Sequence, residues 1–221
     1  MLIRSLRLLI GLFLYGIACA LMIVAGVGVD PWTVFAQGWD RYTGLGMGWL
    51  TFIISAGVML IWIPLRQRPG VGTILNIVLV PLSMELGLWL IPHPEELWLR
   101  ILVFAAGLLL LAVASGLYIG ARMGPGPRDG LMMGIHTRTG WPLWVGRTIV
   151  EVTVLGTGWL MGGNVGAGTV AFALLIGPLC SRTIPLLRVR ESVPEEGMAA
   201  PADPEVGERP EDTSSITIPA R

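Results

Sequence analysis

Lysine is absent from this chain, histidine and cysteine occur twice each, and only 14% of the 221 residues are charged. Each shortage removes a class of function. Without lysine there is no lysine nucleophile and no phosphate loop of the nucleotide-binding type. Cys19 and Cys180 both fall in apolar stretches, which argues against a disulfide framework, a zinc site or a redox motif. His93 and His136 lie far apart with no cysteine or acidic cluster nearby, so a metal enzyme is not expected. No serine or cysteine has a base at motif spacing. The chain therefore reads as no enzyme, with no cofactor and no nucleic-acid partner. Scarce charge combined with 53% hydrophobic residues excludes a water-soluble domain.

What is abundant is glycine and proline, and they are placed twice. Pro31, Gly38, Thr43 and Gly44 reappear 96 residues later as Pro127, Gly134, Thr139 and Gly140. Gly70, Gly72 and Thr73 reappear as Gly166, Gly168 and Thr169, and Arg4, Gly11 and Gly28 as Arg100, Gly107 and Gly124. Leucine coincidences arise by chance in apolar sequence; a gapless run of Gly, Pro and Thr matches does not. The expected domains are a first repeat over 1–96, a second over 97–190 and an acidic tail over 191–221. That tail, rich in Pro, Glu, Ala and Ser, has no apolar period and should be disordered in the cytoplasm.

Six segments are apolar and near the length of about 20 residues that a helix needs to cross a bilayer. They are Leu6–Val27, Gly48–Leu65, Val71–Ile91, Leu97–Ala121, Leu143–Met161 and Gly168–Leu187. Three spans per copy is an odd number, so the copies must be inverted, as in many secondary transporters. The first span has the flanks of a signal peptide, but its counterpart at Arg100–Leu117 cannot be one; it is read as a retained helix. With both termini cytoplasmic, the inner side collects eleven arginines against Arg41 and Arg100 outside. This positive-inside balance predicts a multi-pass protein of the cell inner membrane, in contact with the lipid bilayer.

Pro31–Thr43 and Pro127–Thr139 each open on proline, suited to a first helical position, and end at Thr-Gly. Two forms are open to them. They are either interfacial helices, anchored by Trp32, Trp39 and Tyr42 on one side and Trp141 and Trp144 on the other, or re-entrant helices dipping inward from opposite faces.

Ionisable residues inside spans invite a functional explanation. Glu85 lies in the third span with no local partner. A one-residue slip in the repeat places Arg182 opposite it, where pairing would satisfy both; the alternatives are a lone proton-coupling Glu or a Glu buried in its neutral form. Arg147 and Glu151 are four residues apart on one helix face and form an expected structural ion pair. Asp129 either caps its short helix or shares an anion site with Arg128. The candidates for a substrate path are Pro31, Trp32, Glu85, Pro127, Arg128, Asp129 and Arg182. The two Gly-x-Gly-Thr turns are read as tight turns at helix entrances, not as phosphate cradles.

Pro64-Leu65-Arg66-Gln67-Arg68-Pro69-Gly70-Val71-Gly72-Thr73-Ile74-Leu75-Asn76 resembles the corresponding stretch of the YczE/YyaS/YitT-like bacterial integral membrane proteins. So do Gly28…Pro31-Trp32 and Gly124-Pro125-Gly126-Pro127-Arg128-Asp129-Gly130. The resemblance covers residues 1 to about 190, implies a multi-span membrane protein, and names no substrate. The first copy in that family usually reads Gly-Pro-Trp-Asp; here Thr33 stands in place of the Asp and Asp30 precedes the Pro, while Asp129 keeps the pattern. The expectation is an all-α membrane protein of six helices in two inverted three-helix repeats. Its leading function is a small secondary transporter or permease-like carrier of an unidentified small solute, acting as a homodimer because six short spans enclose little volume. The alternative is a non-transporting accessory or scaffold protein for a partner enzyme or transporter.

Overall fold

The computed structural model describes residues 2–187, and the expected tail at 191–221 lies outside the described residues. Eight helices and no strand occur among the described residues: α1 (Leu2–Ala25), α2 (Pro31–Thr43), α3 (Met47–Leu65), α4 (Val71–Leu90), α5 (Leu97–Gly120), α6 (Pro127–Thr139), α7 (Leu143–Leu160) and α8 (Ala167–Leu187). The starts of α2 and α6, α3 and α7, and α4 and α8 are each separated by the 96 residues of the sequence repeat. Local chemistry sets these limits. Pro31 and Pro127 open the two short helices, and Gly44 and Gly140 close them in the left-handed region at φ 63° and 71°.

Five helices are long and apolar enough to cross a membrane: α1, α3, α4, α5 and α8. The sixth expected span, α7, has 18 residues but carries Arg147 and Glu151, and it is not among the five. The six-span expectation is thus met in five helices by length and composition.

Packing follows the repeat as well. α1 crosses α5, its own counterpart, and α1 packs on α4 as α5 packs on α8. The short helices exchange partners between copies: α2 lies on α7, and α6 on α3. Close approach at the α1–α5 crossing needs glycine. A Cβ on Gly11 would sit 2.7 Å from the Tyr118 amide nitrogen, and one on the equivalent Gly107 would sit 3.0 Å from the Ala18 carbonyl. The central core includes Ala18, Met22, Val29, Met84, Leu108 and Phe172, drawn from both copies. Leu60, Leu82, Trp89, Leu102 and Leu174 are exposed, which gives the outer surface the apolar character of lipid-facing helices.

Candidate functional site

Two interlocked turns place the site. The loop before α6 is held by the start of α4: the Gly72 N–H donates to the Met123 carbonyl at 2.8 Å, and the buried Thr73 hydroxyl donates to Pro125 at 2.7 Å. The loop before α2 is held by the start of α8: Gly168 N–H donates to Val27 at 2.8 Å, and the Thr169 hydroxyl accepts from Val29 N–H at 3.2 Å. The glycines inside these loops, Gly28 and Gly124, take φ of 121° and 122°, where a side chain would be strained. The repeated Gly-x-Gly-Thr turns thus clasp the opposite copy rather than cradling a ligand. Each clasp fixes where one short helix begins.

The beginnings of α2 and α6 meet in the middle of the molecule. Asp30 is the N-cap of α2, accepting from the Trp32 and Thr33 amides at 3.2 Å and from the Thr33 hydroxyl. It also faces Arg128 of α6 across the copies, Nη1 to Oδ1 at 3.3 Å. The Arg128 guanidinium lies over the Trp32 ring, 5.1 Å from its centroid. Asp129 accepts a hydrogen bond from the Tyr118 hydroxyl. Trp62 of α3 donates from Nε1 to the Pro127 carbonyl at 3.0 Å, tying α6 to the same centre.

Between these helix starts lies a cavity of about 140 Å³. It is lined by equivalent residues of both copies: Trp32 and Arg128, Thr33 and Asp129, Thr51 and Arg147, Ser55 and Glu151. A second, more open cavity of about 380 Å³ shares Asp129, Met132 and Arg147 with it and reaches Arg122. Asp129 therefore lines both the more open cavity and the central chamber.

Pro31, Trp32, Pro127, Arg128 and Asp129 line one cavity. The pair Arg147–Glu151 forms at 3.0 Å, and it faces the cavity as well as bracing α7. Glu85 and Arg182 are different. Glu85 is exposed and accepts from the Gly48 amide at 2.9 Å in the first turn of α3, and no ion pair joins it to Arg182 among the described residues. Neither lines the central cavity. The free N–H groups of a helix start supplied the partner that a search for charged residues missed. Trp32 is also no interfacial anchor, being only 7% exposed, whereas Trp39, Tyr42, Trp141 and Trp144 are exposed. The reading of residues alone missed Tyr118, Ser55 and the Asp30–Arg128 contact. Adding 96 to Thr51 and Ser55 gives Arg147 and Glu151, a signal that would have found the cavity wall. No group of three His, Cys, Asp or Glu able to hold a metal ion occurs among the described residues.

Long apolar helices around a polar centre define an all-helical membrane protein. Residues 2–184 match the family of unknown function DUF6198, and the chain belongs to that family. It is 38% identical to an uncharacterized protein of Haemophilus influenzae, covering 86% of this chain and 87% of the relative. It is 34% identical to the uncharacterized membrane protein YczE of Bacillus subtilis over 72% of this chain and 74% of the relative. Identity to the uncharacterized protein YyaS of the same organism is 23%, over 80% and 90% of the two chains. These relatives agree with the resemblance read from the motifs. No solved structure matches.

Proposed function

We propose that this membrane protein is a small, non-enzymatic secondary carrier whose substrate site is the central cavity. In this reading α1, α3, α4, α5, α7 and α8 span the inner membrane as two inverted repeats with both termini cytoplasmic. α7 is read as a span because Arg147 and Glu151 neutralise each other and both line the cavity. The observation that carries the proposal is the contact of Asp30 with Arg128 at 3.3 Å. The arginine balance assigns the loops before α2 and α6 to opposite sides of the membrane. Helices entering from opposite sides touch only if both dip inward, so the re-entrant form is favoured over the interfacial one. Broken helices that meet at the repeat interface are where inverted-repeat carriers bind solute.

Purified protein in liposomes should move one class of small solute, with Arg128→Gln reducing flux at least tenfold. Absence of flux across small cations, anions, amino acids and neutral metabolites would refute it. One observation favours the accessory reading: both ion pairs of the cavity are complete without a ligand. A partner recovered reproducibly in mild detergent, with no flux of any solute, would support that reading.

A further inference from the structure

The charges facing the central cavity do not balance. Asp30 is paired with Arg128 and Glu151 with Arg147. The fifth charge, Asp129, has no ion pair among the described residues and is met by the neutral hydroxyl of Tyr118. The other titratable groups of the wall, Tyr15, Cys19 and Cys180, carry no charge in their ordinary forms. Asp129 is half-buried where it lines both cavities, and one net negative charge there favours an opposite charge.

A second observation comes from the other copy. Ser83, Thr153, Thr157 and Ser181 return their hydroxyls to a carbonyl one turn back, the usual habit of hydroxyl residues in helices. Ser55 does not. It is only 5% exposed, lines the cavity and makes no hydrogen bond among the described residues. Thr51, one turn earlier and 6% exposed, reaches only the Met84 sulfur at 4.0 Å. The Ser55 hydroxyl thus opens onto the cavity with its donor and acceptor uncommitted to the protein, available to a polar group that enters.

Resting on the carrier reading for its purpose, the inference deepens it. We propose that the cavity binds a small organic monocation, a primary ammonium solute, with its charge at Asp129 and its remaining polar hydrogens toward Ser55 and Thr51. The volume of about 140 Å³ is close to that of cavities that admit benzene, so the solute has roughly six non-hydrogen atoms or fewer. A monocation closes the charge count. An anion would add to three carboxylates that face two arginines, and a neutral solute would leave Asp129 with only the Tyr118 hydroxyl.

The test is thermal melting of the full chain in detergent at constant ionic strength, since a ligand of the folded state raises the midpoint. Propylammonium should raise Tm saturably, while propanol, propionate and the much bulkier tetrapropylammonium should not. Asp129→Asn should abolish the rise, and Ser55→Ala should increase the half-saturating concentration about tenfold, as for a lost hydrogen bond to a charged group. An equal response to propanol or propionate overturns the proposal, as does an unchanged response in Asp129→Asn or no response to any probe. If Asp129→Asn fails to fold, Ser55→Ala decides alone: an unshifted half-saturation overturns it. Binding of propylammonium without its flux in liposomes leaves this site standing and removes the carrier. Flux of another solute without propylammonium binding does the reverse.

Discussion

Arg128→Gln removes the only cation from the contact that joins α2 to α6. Asp30 is 7% exposed at its side chain and Arg128 22%, so the pair lies between a fully buried one and a surface one. Breaking a fully buried pair costs about 3–5 kcal/mol, and an exposed pair contributes about 0–1 kcal/mol. Asp30 keeps three other donors, from Trp32 N–H, Thr33 N–H and the Thr33 hydroxyl, which soften the loss. The guanidinium also gives up its place over Trp32. A destabilisation of about 2 kcal/mol is expected, or roughly 4–8 °C in Tm at ~2–4 °C per kcal/mol for a chain of this length. Asp30→Asn keeps an N-cap oxygen and strands Arg128 less deeply, so about 1 kcal/mol is expected. The decisive measurement is the double-mutant cycle by thermal melting in one detergent. The double variant should be less impaired than the sum of the singles by about 1 kcal/mol. Strict additivity within ~0.3 kcal/mol would show that the two residues are neighbours without being partners, and the meeting of the short helices would lose its energetic basis.

Thr73→Val and Thr169→Val each remove a clasp hydroxyl from a buried site, so each should cost about 1–2 kcal/mol, read as a lowered Tm. Gly130→Ala would place a Cβ 1.9 Å from the Trp62 ring; expression should collapse and be partly restored by Trp62→Leu. Glu85→Gln should leave flux and propylammonium binding unchanged, because Glu85 serves the first turn of α3 outside the cavity; lost binding would reinstate it as a site residue. Labelling of single cysteines in the loops near residues 45 and 141 should report opposite sides of the membrane, and labelling from one side would overturn the inverted arrangement.

The helices and their limits were legible because each rests on local chemistry: Pro31 and Pro127 at helix starts, Gly44 and Gly140 at helix ends, apolar runs between. The Arg147–Glu151 pair was legible for the same reason, since four residues on a helix form a local contact. Asp30–Arg128 was not, being 98 residues apart and created only when both loops are clasped by the other copy. The Glu85–Arg182 expectation paired two charges through a symmetry argument and left out backbone N–H groups, which carry no letter in the sequence. Trp32 was open to two readings, an interfacial anchor and a lining residue of the path. A tryptophan near a span end is commonly an interfacial anchor, but the buried start of α2 places this one inside.

Comparison of the two copies separates scaffold from chemistry. Positions that match across the repeat are those that shape the backbone: Gly11 and Gly107 at the crossing, Gly28 and Gly124 in the loops, Thr73 and Thr169 in the clasps. Positions that differ include the cavity wall. Trp32, Thr33, Thr51, Ser55 and Asn76 answer to Arg128, Asp129, Arg147, Glu151 and Phe172, and all ten line the chamber. Four of the five ionised side chains of the wall therefore come from the second copy. Asp30 is the exception, and it lies one turn before the position equivalent to Asp129, hydrogen-bonded to the Thr33 that occupies that position. A scaffold that only held helices together would gain nothing from a wall that draws four of its five charges from one copy and Thr33, Thr51 and Ser55 from the other. The proposed site, which would orient a small solute by one charged end and one hydrogen-bonding end, uses that asymmetry.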